Sequence, residues 1–456
     1  MNYRIYSITC FITAIFMAGS ILLPSTIKAK RISMIRDVEI ETTILSYATP
    51  LLIAAGLEPS SIRIHIVEDN TLNAFVAGGQ QIFINTGLLL KSGSVNQIIG
   101  VLAHEIGHIA GGHLIKGTKA RSDISATSLL GVLLGGAAII SGSPNAGAAA
   151  MQLGSNIGIR NYLSFSRTQE SAADQFALRL MEQTQQSSAG LLKFMEVLED
   201  QELLSARSQD PYVRTHPLSQ NRIATIRRHL QTSQFTNTPA SKKNQKSHAR
   251  LRAKLVGFTQ TFSQTLREYP ERDGSIESIY ARTIAHYRRS NISKAISLID
   301  KLIAKLPNDP YFHELKGQIY FENGKIDLAL KSYQTATNLI PGSPLLRVQL
   351  ARAQIEKNEP KFLKMAIPNL LYSINKDPTR PNVWRQISIA YGRLNKKGES
   401  SQALAEEAIL LGRNNEAIKL AERAKKLLKI GTRNWLRAED IINLAHINLK
   451  NKKGRK

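Results

Sequence analysis

Apolar and polar residues alternate with different periods along this chain, and each period predicts a different element. Residues 36–58 follow helical spacing up to Gly56, which predicts a helix ending there. Ile62-Arg-Ile-His-Ile-Val67 alternates with period two. Ala74-Phe-Val and Gln81-Ile-Phe-Ile flank Gly78-Gly79, so a strand is followed by a hairpin. The unbroken apolar run Ile98-Ile-Gly-Val-Leu-Ala103 predicts a buried helix from about Val95 to Leu114. Residues 123–163 hold a second apolar region, Leu129 to Ile140, then Ser-Gly-Ser-Pro-Asn145 and an alanine-rich stretch. Each half is too short to cross a bilayer. As a pair they read as a core helical hairpin, a hairpin over a neighbouring cleft, or an apolar excursion lying on a membrane or partner. Ser233 to Lys246 is polar, contains Pro239 and reads as a linker, with a helical stretch from Ala249 to Arg267 behind it.

From about residue 278 the pattern repeats. Pro307 and Pro341 are 34 residues apart, the period of a tetratricopeptide repeat, and Pro378 follows after a longer turn. Gly317, Tyr320, Ala329, Tyr333 and Ala336 fall at its small and aromatic positions. Ala295, Ala366 and Ala417 take the small position in neighbouring units, and Trp384 and Tyr391 the aromatic ones. About four repeats are expected. Stacked repeats form a concave groove that binds protein segments.

Chemistry enters where the buried helix turns polar. His104-Glu105-Ile-Gly-His108 places two imidazoles four residues apart, one above the other on a helix, so both can ligate one metal ion. Glu105 is then placed to act as general base on the metal's water, the arrangement of a zinc peptidase. Polar groups packed into one turn of an apolar helix need a partner, and a metal supplies it. A third ligand is required. His113 sits five residues after His108, off the ligand face, and one short of the longer pattern that ends in a third histidine. Glu170 is the better candidate. Asp174 lies one turn later and suits a hydrogen bond that orients a ligand histidine.

His104-Glu105-x-x-His108 with Glu170-Ser-Ala-Ala-Asp174 resembles the peptidase family that contains HtpX and the CAAX prenyl endopeptidases. Asn73 to Gly79, Ile82 to Leu89, and Thr215-His216-Pro217-Leu218 with Arg222-Ile223 agree with it, over roughly residues 35–230. The repeats match its BepA-like subgroup. The resemblance implies a mainly α fold, with a gluzincin-like zinc metallopeptidase domain (α with a small β-sheet) ahead of a tetratricopeptide-repeat helical solenoid. It implies one Zn2+ per chain on His104, His108 and Glu170, with Glu105 catalytic. His216 is the expected stabiliser of the oxyanion, or else an inhibitory ligand in the open coordination position; Arg222 is a second oxyanion candidate. It further implies an ATP-independent endopeptidase acting on unfolded or misassembled envelope proteins, with outer-membrane assembly machinery as a partner of the repeats. The competing reading is a chaperone or assembly adaptor whose peptidase site is largely silent.

Composition changes this picture in two places. Met1-Asn-Tyr-Arg4, the apolar run Ile5 to Leu23 and Ala29 resemble a secretory signal cleaved after Ala29, with an uncleaved anchor as the alternative. The single cysteine, Cys10, lies inside it, so the remainder has no thiol chemistry. An exported, periplasmic protein is the expectation, membrane-associated if the segment stays as an anchor. The expected segments are 1–29 signal, 30–232 peptidase, 233–277 linker and connecting helix, 278–450 repeats and 451–456 basic tail. The formal net charge of +25 favours acidic partners. With no nucleic-acid motif and few interleaved aromatics, nucleic acid is set aside; an anionic membrane surface is the expected acidic partner, and a merely solvated basic face the plainer alternative.

Overall fold

The computed structural model describes residues 33–113, 167–202, 216 and 218–453. The signal-like segment and the apolar stretch at 123–163 lie outside the described residues. The chain divides into two compact units, Met1–Met34 and Ile35–Lys456, and the site and the repeats both belong to the second.

Helix α1 (Val38–Ala54) starts where the Asp37 side chain accepts a hydrogen bond from Ile40 N at 2.9 Å, with Glu39 and Glu41 in the positive first turn. It stops before Gly56, whose φ of +70° continues the chain in a conformation glycine tolerates. Its buried face, Ile40, Ile44, Tyr47 and Leu51, packs into the largest core. Strands β1 (Arg63–Val67), β2 (Ala74–Ala77) and β3 (Gln81–Asn85) follow. β1 pairs with β3 in parallel and β2 pairs with β3 antiparallel, which leaves β2 at the edge of the sheet. Gly78 and Gly79 make the turn at φ +58° and +91°. Phe75 and Phe83 stack across it at 5.0 Å.

Helix α2 (Thr86–Lys91) leads to α3 (Val95–Ala110), buried along almost its whole length. α3 ends four residues before the expected Leu114, because Gly111 caps it and Gly112 (φ +61°) turns the chain away. Helix α4 (residues 167–183) and α5 (Ala189–Glu202) complete its surroundings. The approach of α3 to α5 is close. A Cβ on Gly190 would stand 2.3 Å from the Asn96 backbone, and one on Gly100 2.9 Å from that of Leu191.

Helix α6 (Gln220–Thr232) precedes the stretch read as a linker. That stretch is shorter than expected. Ser241 accepts from Asn244 N and opens α7 at Lys242, so α7 (Lys242–Thr259) already packs on α1, with Tyr47 Oη 2.7 Å from Ser247 Oγ. A capping box at Thr261 then separates α7 from α8 (Phe262–Glu268), where sequence periodicity predicts one continuous helix.

Paired helices follow: α9 and α10 (Ile276–Arg288, Ile292–Lys305), α11 and α12 (Pro310–Glu322, Ile326–Leu339), α13 and α14 (Pro344–Lys357, Pro360–Lys376), α15 and α16 (Pro381–Arg393, Lys397–Leu410), α17 and α18 (Asn414–Leu427, Arg433–Lys453). Among the described residues this makes five pairs where about four repeats are expected, since the last pair lacks most of the signature residues. The repeat positions hold. Gly317 lies against the Tyr333 ring, where a Cβ would meet it at 2.7 Å, and Ala295, Ala329, Ala336, Ala366 and Ala417 are fully buried. The fold is therefore mainly α, a helical domain with a small sheet followed by a helical solenoid.

Candidate metal centre

Helix α3 carries His104, Glu105 and His108 into the core, all buried. Gly107, within the same motif, lets α4 come close: a Cβ there would stand 2.8 Å from the Ala173 carbonyl oxygen. That approach brings Glu170 and Asp174, both buried, beside the histidines. His216, just ahead of α6, is buried in the same place. Arg222 joins from α6, whose first turn is capped by Ser219.

One ligand-type atom from each of His104, His108, Glu170 and His216 lies within 4.8 Å of all the others. His104 Nε2 is 3.0 Å from His108 Nε2, 3.3 Å from His216 Nδ1 and 3.3 Å from Glu170 Oε2. Glu170 Oε1 is 3.3 Å from His108 Nε2, and His216 Nδ1 is 3.2 Å from Glu170 Oε2. Ligands 2.0–2.1 Å from a tetrahedral centre stand roughly 3.3–3.4 Å apart, so this spacing fits one metal ion.

Proton accounting gives the same answer. The Asp174 carboxylate only accepts, so His104 Nδ1 donates to it at 2.9 Å and Nε2 keeps its lone pair. That lone pair faces His108 Nε2, and two ring nitrogens 3.0 Å apart need a proton or a cation between them. Glu105 is fully buried, and neither carboxylate oxygen has a hydrogen-bond partner; His216 Nε2 stands 3.6 Å from Oε1. A buried carboxylate in that state is suited to a water on an adjacent metal.

Burial dominates the electrostatics and is answered differently at each residue. It pushes His108 down to about 3 and raises Glu105. It would lower His104 as well, but where a proton takes the place of a cation on Nε2, hydrogen bonds to Asp174 and Glu170 outweigh burial and lift that imidazole to about 10. Burial also acts to raise Glu170 and Asp174. The positive field of His216 with bonds from the three histidines holds Glu170 far below the usual carboxylate range, and Arg222 holds Asp174 down. Arg222 Nε and Nη2 donate to Asp174 at 2.5 and 2.9 Å, and its Nη1 lies 3.1 Å from Glu170 Oε2.

The structure thus gathers every residue singled out from sequence: His104, Glu105, His108, Glu170, Asp174, His216 and Arg222. His113 is outside the ligand group, as its spacing indicates, yet it has a place that spacing does not suggest. After the Gly112 turn its Nδ1 comes back to 2.9 Å from His108 Nδ1. Gly111 makes room for it, since a Cβ there would stand 2.3 Å from the His113 ring. The Gly111-Gly112 pair was the available signal. Among the described residues no helix is long and apolar enough to cross a membrane.

Comparison with known proteins agrees with this geometry. Residues 36–230 match Peptidase family M48. The chain is 25% identical over 405 residues to the beta-barrel assembly-enhancing protease of Escherichia coli (strain K12), covering 88% of this chain and 81% of that protein. It is 31% identical over 171 residues to Metalloprotease LoiP of the same organism, covering 37% of this chain and 62% of LoiP. The solved structure of YrrB, a TPR protein, aligns over 38% of this chain and 91% of its own at 14% identity, with a TM-score of 0.33.

Proposed function

We propose that this metallopeptidase, whose residues 36–230 match Peptidase family M48, is an exported, zinc-dependent endopeptidase for unfolded or misassembled envelope proteins. The observation that carries this reading is the convergence of His104, His108, Glu170 and His216 beside the unpartnered carboxylate of Glu105. Nitrogen and carboxylate donors at tetrahedral spacing favour zinc over harder cations.

A bound zinc ion would acidify its water and polarise a scissile carbonyl. Glu105, buried beside the ligand side chains with both carboxylate oxygens free of hydrogen bonds, is the group that would hold a proton taken from water and pass it to a leaving amine. Asp174 holds the His104 ring through Nδ1, and Arg222 braces Asp174 and Glu170 together, so we assign Arg222 a positioning role in place of the oxyanion role considered from sequence. In this arrangement His216 completes a four-ligand cage, and a catalytic site keeps one position open. His216 therefore acts as a latch that swings out when a substrate enters.

Edge strand β2 can pair with an extended polypeptide through its backbone, which suits clients defined by being unfolded. The repeats recruit them. A cavity of about 1040 Å³ in the last repeats is lined by Leu371, Trp384, Tyr391, Leu410, Leu436 and Leu444, a surface for apolar and aromatic side chains. The similarity to the beta-barrel assembly-enhancing protease supports outer-membrane protein assembly as the setting and the assembly machinery as a partner of the repeats. An anionic membrane surface is the partner we assign to the basic C-terminal quarter.

Glu105→Gln tests the hydrolytic reading. Casein digestion should fall by roughly 10²–10⁴-fold while zinc content stays at one per chain. A chelator should abolish digestion by the unaltered protein, and zinc should restore it. Digestion that survives Glu105→Gln would leave the adaptor reading standing.

A further inference from the structure

Away from the metal centre, a second cavity of about 370 Å³ lies where the peptidase sheet meets the repeats. Arg36, Arg63 and His65 line it from one side, and Ser343, Lys376 and Arg380 from the other. Its charges do not balance. Glu41 is paired with Arg36 at 2.8 Å and Asp377 with Arg63 at 3.2 Å, which leaves Lys376 and Arg380 without a carboxylate. Lys376 is exposed, so water serves it. Arg380 is only 7% exposed, and its one hydrogen bond runs from Nη1 to Ser373 Oγ at 3.2 Å. Among the described residues no carboxylate lies within ion-pair distance of it.

A guanidinium presents five donors in a fixed fork, and a buried one is ordinarily paired. Here one donor is used and the rest of the group borders a cavity. Burial and the neighbouring Arg36 charge lower its proton affinity by more than the Asp377 and Glu41 carboxylates, which lie beyond ion-pair distance, raise it. Two helix beginnings face the same space: Ser343-Pro344 opens α13 and Arg380-Pro381 opens α15. Each adds the partial positive charge of a helix N-terminus.

We propose that this cavity is an oxoanion site, taking a phosphate or carboxylate group on the Arg380 fork with Lys376 at its mouth. The group sits between β1 and the starts of α13 and α15. Its binding therefore ties the peptidase sheet to the third and fourth helix pairs, independently of the metal. The anionic group comes either free in solution or as the head of an amphiphile, since Ile62, Ile64 and Leu345 give the same cavity an apolar wall.

The test is thermal melting of the full, zinc-loaded chain in inorganic phosphate against chloride at equal ionic strength, with hexyl phosphate as a second probe. The unaltered protein should show a saturable rise in Tm, and hexyl phosphate should saturate at lower concentration if the head of an amphiphile is the natural occupant. Arg380→Gln should weaken phosphate roughly ten- to a hundredfold, the loss of charged hydrogen bonds. Arg380→Lys should fall between the two, and zinc content should not change. Phosphate also stabilises proteins by exclusion from their surface, and that effect does not saturate. A linear rise, or one equal in Arg380→Gln, overturns the proposal. Should Arg380→Gln fail to fold, Lys376→Gln, at an exposed position, must weaken the saturable phase several-fold or the proposal falls.

Discussion

Asp174 touches none of the atoms that would hold the metal, yet its carboxylate decides which nitrogen of His104 is free. Asp174→Asn should lower zinc affinity roughly ten- to a hundredfold, read by competition with a chromophoric chelator, and should lower the melting temperature as well, because buried Arg222 loses its paired carboxylate. His216 calls for the opposite outcome. Its Nδ1 stands where a fourth ligand would, so His216→Ala should raise casein hydrolysis several-fold while weakening zinc retention. A drop in hydrolysis with zinc still bound would instead make His216 an obligatory oxyanion partner. His248 gives a pH effect away from the centre. It is buried in α7 with no partner on Nε2, and burial, helped by Arg252, lowers it to about 4. A folded-state pKa below the ordinary 6.5 means that the unfolded chain binds the proton first. Stability is therefore lost as pH falls from about 6.5 toward 4. The full drop corresponds to roughly 3 kcal/mol. Urea denaturation across that range should show a flatter profile for His248→Gln than for the unaltered chain.

At the scale of elements, close helix approach matters as much as the ligands. Gly107 sits between the motif histidines with the Ala173 carbonyl over it, so Gly107→Ala must push α3 and α4 apart or bend one of them. The expected cost is about 1–3 kcal/mol, accompanied by weaker zinc binding, because Glu170 and Asp174 move with α4. Gly79→Ala is the control. Nothing lies within 4 Å of the added carbon, and its cost comes only from the positive φ, so zinc binding should stay intact. Much of this level was legible from residue order: α1, the β2–β3 hairpin and the phase of the repeats follow from periodicity, Gly56, Gly78-Gly79 and the prolines. The errors were at ends. α3 stops at Gly111, and Thr261 divides a helix that composition alone would run through, because a cap is a local hydrogen bond that periodicity does not register.

The whole molecule is joined by a buried ionic chain that no motif announces. Lys254 of α7 lies 2.7 Å from Asp37 and 3.2 Å from Glu39 at the start of α1, and Tyr280 of α9 donates to Glu39 at 2.8 Å. Arg250 pairs with Glu39 and with Asp309, which in turn caps α11. The first helix of the peptidase part, the connecting helix and the first two helix pairs thus share one set of charges. Lys254→Ala would leave the half-buried Asp37 beside Glu39 with no cation of its own, while Glu39 keeps Arg250. A cost of about 3–5 kcal/mol is expected, with peptidase and repeats melting in separate transitions where the unaltered chain melts in one. Differential scanning calorimetry distinguishes these outcomes.

Residue order alone determined the chemistry and the periods. Two histidines one turn apart, with a glutamate between them, can serve one ion on any helix, and a 34-residue spacing of prolines with matching small and aromatic positions points to a repeat, because both are read from positions along the chain. The tertiary structure decided what depends on separation. It brought Glu170 and His216 to 3.2 Å across 46 residues, gathered His216 with the other three ligand-type side chains, returned His113 to 2.9 Å from His108, and placed Arg380 in a cavity with no carboxylate within ion-pair distance of it. Those meetings depend on how closely helices pack at Gly107 and where the chain turns at Gly112, and packing distances are not written in any local pattern.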